Sequence, residues 1–249
     1  MKIDNNSTKH IIRGGNILDF GFECYSCILR QSYEAAAMAA DNDEAIREIL
    51  SEVASKLGEI DPTISPPVFI AEVHQIIKNI TDVKDPYREI KEKNMKTSLE
   101  IYPKVEGIVS ESSDSLLASL VMSAVGNSID TAVSLEVDIV KNIEESLQRG
   151  LDYSDYELFK KELEKADNIL IIADNTGEAV FDRLLLKELN KLDLKITYAV
   201  RSKAVLNDIT LKEAKKLKID SMAEVIESGT FTPGVILSQT NENFKRNSK

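Results

Sequence analysis

The spacing of apolar residues first departs from the helical period near Asp167, and no other feature restricts the available folds as strongly. Upstream, apolar positions recur at three- and four-residue steps. Ile46, Ile49, Leu50, Val53 and Leu57 do so over Asp43 to Leu57, and Phe69, Val73, Ile76, Ile77 and Ile80 follow behind Pro66 and Pro67. Between Asp114 and Leu147 the series is Leu116, Leu117, Leu120, Val121, Ala124, Val125, Ile129 and Val133. Such spacing lines one face of a helix and predicts a bundle, with a break near Gly126. Downstream, Asn168-Ile-Leu-Ile-Ile-Ala173 is a short run rich in β-branched residues, as a strand buried on both faces requires. Lys195 to Val200 and Ala223 to Ile226 read as further strands, with helices over Ala179 to Leu189 and Leu211 to Leu217 between them. Strand and helix in alternation predict a parallel sheet with right-handed crossovers. The expected fold is α/β: a helical N-terminal part packed on a small, mostly parallel Rossmann-like sheet, an α/β/α sandwich. Its expected divisions are an N-terminal extension over residues 1–22, the helical part over 23–166 and the α/β part carrying the site over 167–249, together one bilobed unit.

A length of 249 residues permits a sizeable core, and 43% hydrophobic with 29% charged residues is the composition of a globular chain. Lys and Arg number 31 against 42 Asp and Glu, a net charge of −11 that repels phosphate backbones and anionic bilayers. With no tryptophan and 6% aromatics, platforms for stacking bases are scarce, so no nucleic-acid partner is expected. Runs such as Ile169 to Ala173 are far too short to span a bilayer, and Met1 to Asn6 is polar where a signal peptide is apolar. The expectation is a cytoplasmic protein with no membrane partner. Cys24 and Cys27 stand three apart at the start of a helix, without a second pair, and His10 and His74 lie elsewhere, so neither four-ligand zinc nor a structural disulfide fits.

Ligands of open parallel sheets collect beyond the carboxyl ends of the strands. Asp174 and Asn175 stand after the first strand, and Asn207 and Asp208 in the loop after the second. Two carboxylates and an amide suit a hard cation such as Mg²⁺ or Mn²⁺, although Asp and Asn after a strand also serve as turn formers and helix caps. Thr176-Gly177-Glu178 carries a single glycine and neither a dinucleotide fingerprint nor a P-loop lysine, which argues against a nucleotide cofactor. Asn127 and Asp130 share a face in Gly126-Asn-Ser-Ile-Asp130, either beside a helix kink or lining a pocket between bundle and sheet. Asp85-Pro-Tyr-Arg-Glu-Ile-Lys91 with Asn94 is either a helix start or a set of polar pocket contacts.

Taken in order, Cys24-x-x-Cys27 with Leu29-Arg-Gln31, Asp85-Pro-Tyr87 with Lys91 and Asn94, Gly126-Asn-x-Ile-Asp130, Asp174-Asn-x-Gly-Glu178 and Asn207-Asp-x-Thr210 form a recognisable series. From about Glu23 to Phe244 the chain resembles the damage-control phosphatases, a metal-dependent family long labelled a domain of unknown function, in its short prokaryotic and archaeal branch. The resemblance implies hydrolysis of phosphate monoesters of small or damaged metabolites with a divalent metal, Mg²⁺, Mn²⁺, Ni²⁺ or Co²⁺. It implies Asp174, Asn175 and Asp208 as metal ligands, with Asp174 and Asp208 carrying catalysis, and Asn127, Asp130 and Glu178 near the substrate. The family pattern continues past Phe244 into a further strand and a Lys-Gly-x-Gly-Asn-like loop, whereas this sequence ends at Lys249. The resemblance therefore also implies the alternative of a truncated, catalytically impaired relative that binds metal or a phosphorylated ligand without efficient turnover.

Overall fold

A computed structural model describes residues 20–127 and 155–248. Three helices come first: α1 (Phe22–Ala39), α2 (Asp43–Gly58) and α3 (Pro66–Thr81). Their ends follow local chemistry. The Asn42 side chain accepts the Ala45 N–H ahead of α2, Asp43 and Glu44 meet the positive end of that helix, and Pro66 opens α3. The period read from the sequence is the buried face: Ile49, Val53 and Leu57 of α2 pack with Val73, Ile76 and Ile77 of α3 and with Ala35 and Ala36 of α1.

Next come α4 (Arg88–Glu111) and α5 (Ser115–Gly126), the latter capped by Asp114, which accepts from Leu117 N at 3.0 Å. After α6 (Tyr156–Leu163) the α/β part runs β1 (Asn168–Ile172), α7 (Glu178–Leu189), β2 (Lys195–Val200), α8 (Leu211–Lys216), β3 (Glu224–Glu227) and α9 (Glu242–Asn247). The three strands form one parallel sheet in the order β1-β2-β3, with Ile171 opposite Tyr198 and Tyr198 opposite Val225. One face, through Ile196, Tyr198 and Val200, packs into a core shared with α4, α5 and α7. Ala199 and Ile226 point to the other face, where Phe244 of α9 covers them. Helices on both faces of a parallel sheet make the α/β fold read from the sequence.

Packing accounts for the glycine at the end of α5. A Cβ at Gly126 would lie 2.9 Å from Glu178 Cα and 2.9 Å from the Phe181 ring, so the bare glycine lets the end of α5 press against the start of α7. The expected continuation of that helix toward Leu147, with Asp130, lies outside the described residues. Among the described residues no helix is long and apolar enough to cross a membrane.

Candidate functional site

Two loops leave the carboxyl edge of the sheet, and backbone hydrogen bonds zip them together. The β1–β2 ladder runs one residue past the strand, with Ala173 N donating to Ala199 O at 3.0 Å. Beyond it Ile209 N donates to Asp174 O at 2.8 Å, Thr176 N to Asn207 O at 3.1 Å and Arg201 N to Ile209 O at 3.0 Å. Asn175 and Asp208 therefore face one another across an antiparallel bridge. Residues more than thirty apart in sequence are held side by side by the main chain, whatever their side chains do.

The side chains then divide the work. Asn175 is buried, and its Oδ1 accepts the Glu178 N–H at 2.8 Å, capping α7. Its Nδ2 donates to Asn127 Oδ1 at 2.6 Å, and Asn127 Nδ2 donates to Asp174 Oδ2 at 3.2 Å. Asn127, brought in by the close approach at Gly126, thus fixes which way the Asn175 amide points and holds one oxygen of Asp174. Cap and candidate ligand are the same residue here, so the two readings open in the sequence are compatible. Asp174 stays open to solvent, its side chain 45% exposed, while Asp208 is buried and accepts from Arg201 Nε at 2.7 Å.

Negative charge is in surplus at this edge. Burial, against the opposing pull of Arg201, pushes the Asp208 carboxyl up to about 7, with Asp174 adding to the rise. Glu178 is pushed up to about 8 by burial and then by the neighbouring charges of Asp182, Asp174 and Asp208. One turn along α7, Asp182 is fully enclosed and accepts from Ser123 Oγ and Tyr198 Oη, both at 2.5 Å; burial still raises it to about 6. A cluster of oxygens whose charges oppose one another is the environment a hard cation relieves. Among the described residues no three His, Cys, Asp or Glu side chains are grouped to hold an ion, so the candidate set depends on the Asn175 amide as its third member.

The structure brings Asn127, Asp174, Asn175, Glu178 and Asp208 to one place, and Asp130 falls outside the described residues. Two contributors, Arg201 and His74, were not singled out as site residues by the sequence, whereas Lys91 and Asn94 were read there as candidate pocket contacts. Arg201 is buried between Asp208 and Asp174. His74 of α3 accepts the Leu206 N–H at 3.3 Å, tying the helical part to the loop that carries Asp208, where Leu206 has a left-handed φ of 44°. Lys91 and Asn94 share the buried inner face of α4; Lys91 Nζ lies 3.1 Å from Asp85 Oδ2 and 4.0 Å from Glu213 Oε2, beside the capping box that starts α8. Of these only the Asp85, Lys91 and Asn94 spacing carried a prior signal. Cys24 and Cys27 are free thiols in the first turns of α1, a helix that packs against α2 and α3.

A family model for the damage-control phosphatase ARMT1-like domain matches residues 22–248. An uncharacterized protein of Methanocaldococcus jannaschii is 32% identical over 89% of this chain and 75% of its own length. A damage-control phosphatase of Archaeoglobus fulgidus is 28% identical over 87% of this chain and 76% of its own, and one of Pyrococcus horikoshii 27% identical over 90% and 78%. In the crystal structure of a DUF89 family protein from Pyrococcus horikoshii the same fold recurs, with a TM-score of 0.83 at 23% identity, covering 93% of this chain and 81% of that one.

Proposed function

The chain belongs to the damage-control phosphatase ARMT1-like family, and from that premise we propose that it is a divalent-metal-dependent phosphatase releasing phosphate from small phosphorylated or damaged metabolites. Asp174, Asn175 and Asp208 are the residues that would hold the ion. The observation that carries this reading is the zipper between the two strand-end loops, which sets Asn175 against Asp208 with Asp174 next in line. The donor set consists of oxygens, the chemistry that Mg²⁺ and Mn²⁺ favour, and burial together with the neighbouring charge of Asp174 raises its Asp208 carboxyl, a strain that positive charge would relieve. When bound there, a divalent cation supplies Lewis acidity toward a phosphate oxygen and lowers the pKa of water.

The chain's own residues do the rest. Asn127 orients the Asn175 amide and one oxygen of Asp174, so that neither must reorganise during reaction. The N-terminal end of α7 points its positive dipole toward the same edge, which favours a phosphate there. Glu178, the first residue of α7, would lie beside that phosphate. The test is phosphate release from p-nitrophenyl phosphate with and without Mn²⁺, beside Asp174→Ala. Release should require Mn²⁺ and fall by about 10²–10³ in the variant; a variant as active as its parent overturns the reading.

A further inference from the structure

Arg201 is among the largest fully buried side chains of the protein, and its surroundings are unusual for a stabilising contact. Nε donates to Asp208 Oδ2 at 2.7 Å, Nη2 stands 3.7 Å from Asp174 Oδ1, and Nη1 is buried with no acceptor among the described residues. Desolvating a buried ion pair offsets much of what its attraction returns, and one donor here has no partner among the described residues. A buried pair of this kind is weak evidence of a stabilising role.

The mounting of the guanidinium gives the better account. Arg201 directly follows β2, its N–H donates to Ile209 O at 3.0 Å, and it bridges Thr210. The segment that carries Asp208 is thus clamped to the segment that carries Arg201, and the side chain reaches back across seven residues to grip the carboxylate from one side. The contact through Nε occupies Oδ2 and leaves Oδ1 of Asp208 unclaimed by any described hydrogen bond. A cation that merely filled the place of a metal would sit between the carboxylates and engage both closely; Arg201 engages one closely and the other at a longer distance.

We propose that Arg201 is the positioning residue of the ion site: it sets the orientation of Asp208, and draws in Asp174, so that Asp208 Oδ1 is presented to a divalent cation. The inference rests on the reading of Asp174, Asn175 and Asp208 as the ligands. Partners that orient a ligating group typically contribute about 10–100-fold in metal affinity.

Calorimetric titration of the full chain with Mn²⁺, for the parent, Arg201→Lys, Asp208→Asn and the double variant, tests it. Lysine keeps the charge and loses the side-on contact, so Arg201→Lys should weaken Mn²⁺ by about 10–100-fold. Asparagine keeps one oxygen at position 208, and in that background the same substitution should change affinity by less than about threefold, because Arg201 acts through Asp208. If Arg201→Lys lacks a cooperative unfolding transition, Arg201→Gln replaces it, with an amide that still donates one hydrogen bond and a correspondingly smaller loss. Unchanged or tighter binding in a folded Arg201 variant overturns the proposal, as does an equal loss in both backgrounds, which marks general disturbance of the fold. A parent that binds no Mn²⁺, Mg²⁺, Ni²⁺ or Co²⁺ overturns the metal reading and this proposal with it; a parent that binds while Arg201→Lys is unaffected overturns this proposal alone.

Discussion

Around α1, α2 and α3 the buried side chains are, Ser32 apart, hydrocarbon, with Ile49, Val53, Val73 and Ile77 all but removed from solvent. At the carboxyl edge of the sheet polar residues are buried among the apolar ones: Lys91, Asn175, Thr176, Arg201, Asp208 and Glu213. Each apolar side chain of the first kind stabilises by about 1.5–3 kcal/mol and asks only for close packing. Buried charges of the second kind cost free energy and return it only where partners stand at the right distance and angle. One region supplies stability, and the other spends part of it to hold oxygens in a fixed array. The two are joined by named contacts: Val205 is buried in the helical cluster, and His74 accepts the Leu206 N–H.

The largest effect that sharpens this contrast is expected from Asp208→Ala. Removing the acceptor leaves Arg201 buried with only its longer contact to Asp174, which costs about 3 kcal/mol, and Mn²⁺ binding is lost as well. Asp208→Asn, which keeps an acceptor, should cost less than half as much, as chemical denaturation of both variants would show. Ile77→Ala, in the hydrocarbon region, should cost about 3 kcal/mol through the cavity it opens, yet leave Mn²⁺ affinity of the folded protein unchanged. A change in that affinity would break the separation between the two regions.

Gly126→Ala is intermediate in size and in character. Its Cβ meets the Glu178 backbone rather than a movable side-chain end, so about 2 kcal/mol of overpacking is expected. Because the shift would carry Asn127 away from Asp174 and Asn175, Mn²⁺ affinity should fall in the folded variant too. The smallest effect is one of pH. Burial, and then the charge of Lys91, lowers His74 to about 4 from its ordinary 6.5. Above 6.5 both folded and unfolded chains carry it neutral; below, the unfolded chain takes up a proton that the folded chain resists. The contribution is therefore present above 6.5 and lost as pH falls toward 4, on the order of 1 kcal/mol by about pH 5.5. Asp182, Glu178 and Asp208, whose carboxyls are raised, titrate in the opposite sense. The comparison is thus between the parent and His74→Gln, whose stability should depend less steeply on acidification in that window; identical profiles would show that the His74 contact does not couple to protonation.

Much of the fold was legible because it is encoded locally. The three- and four-residue steps from Ile46 to Leu57 and from Phe69 to Ile80 became the buried faces of α2 and α3, and the β-branched run after Asn168 became β1. The Asp174 to Glu178 stretch was readable as a turn with a cap, and Asn175 is that cap. Arg201 was not readable as part of the site. An arginine in a loop defaults to solvent, and only the bridge between Arg201 and Thr210, with Asp208 behind it, turns this one inward. The same holds for His74, which lies 132 residues from Leu206 in sequence.

By itself, then, the sequence determined the change from helical to strand period, the turn and capping chemistry after each strand, and the ordered motifs by which the chain resembles its family. Those are properties of neighbouring residues, set by backbone sterics and by donors and acceptors a few positions apart. The tertiary structure alone decided that Asn127 orients Asn175 across 48 residues, that Gly126 had to be bare for it to do so, and that Arg201 grips Asp208 from inside the protein. Such contacts depend on how finished elements pack, and the low dielectric created by that packing is what gives the few charges enclosed in it their effect.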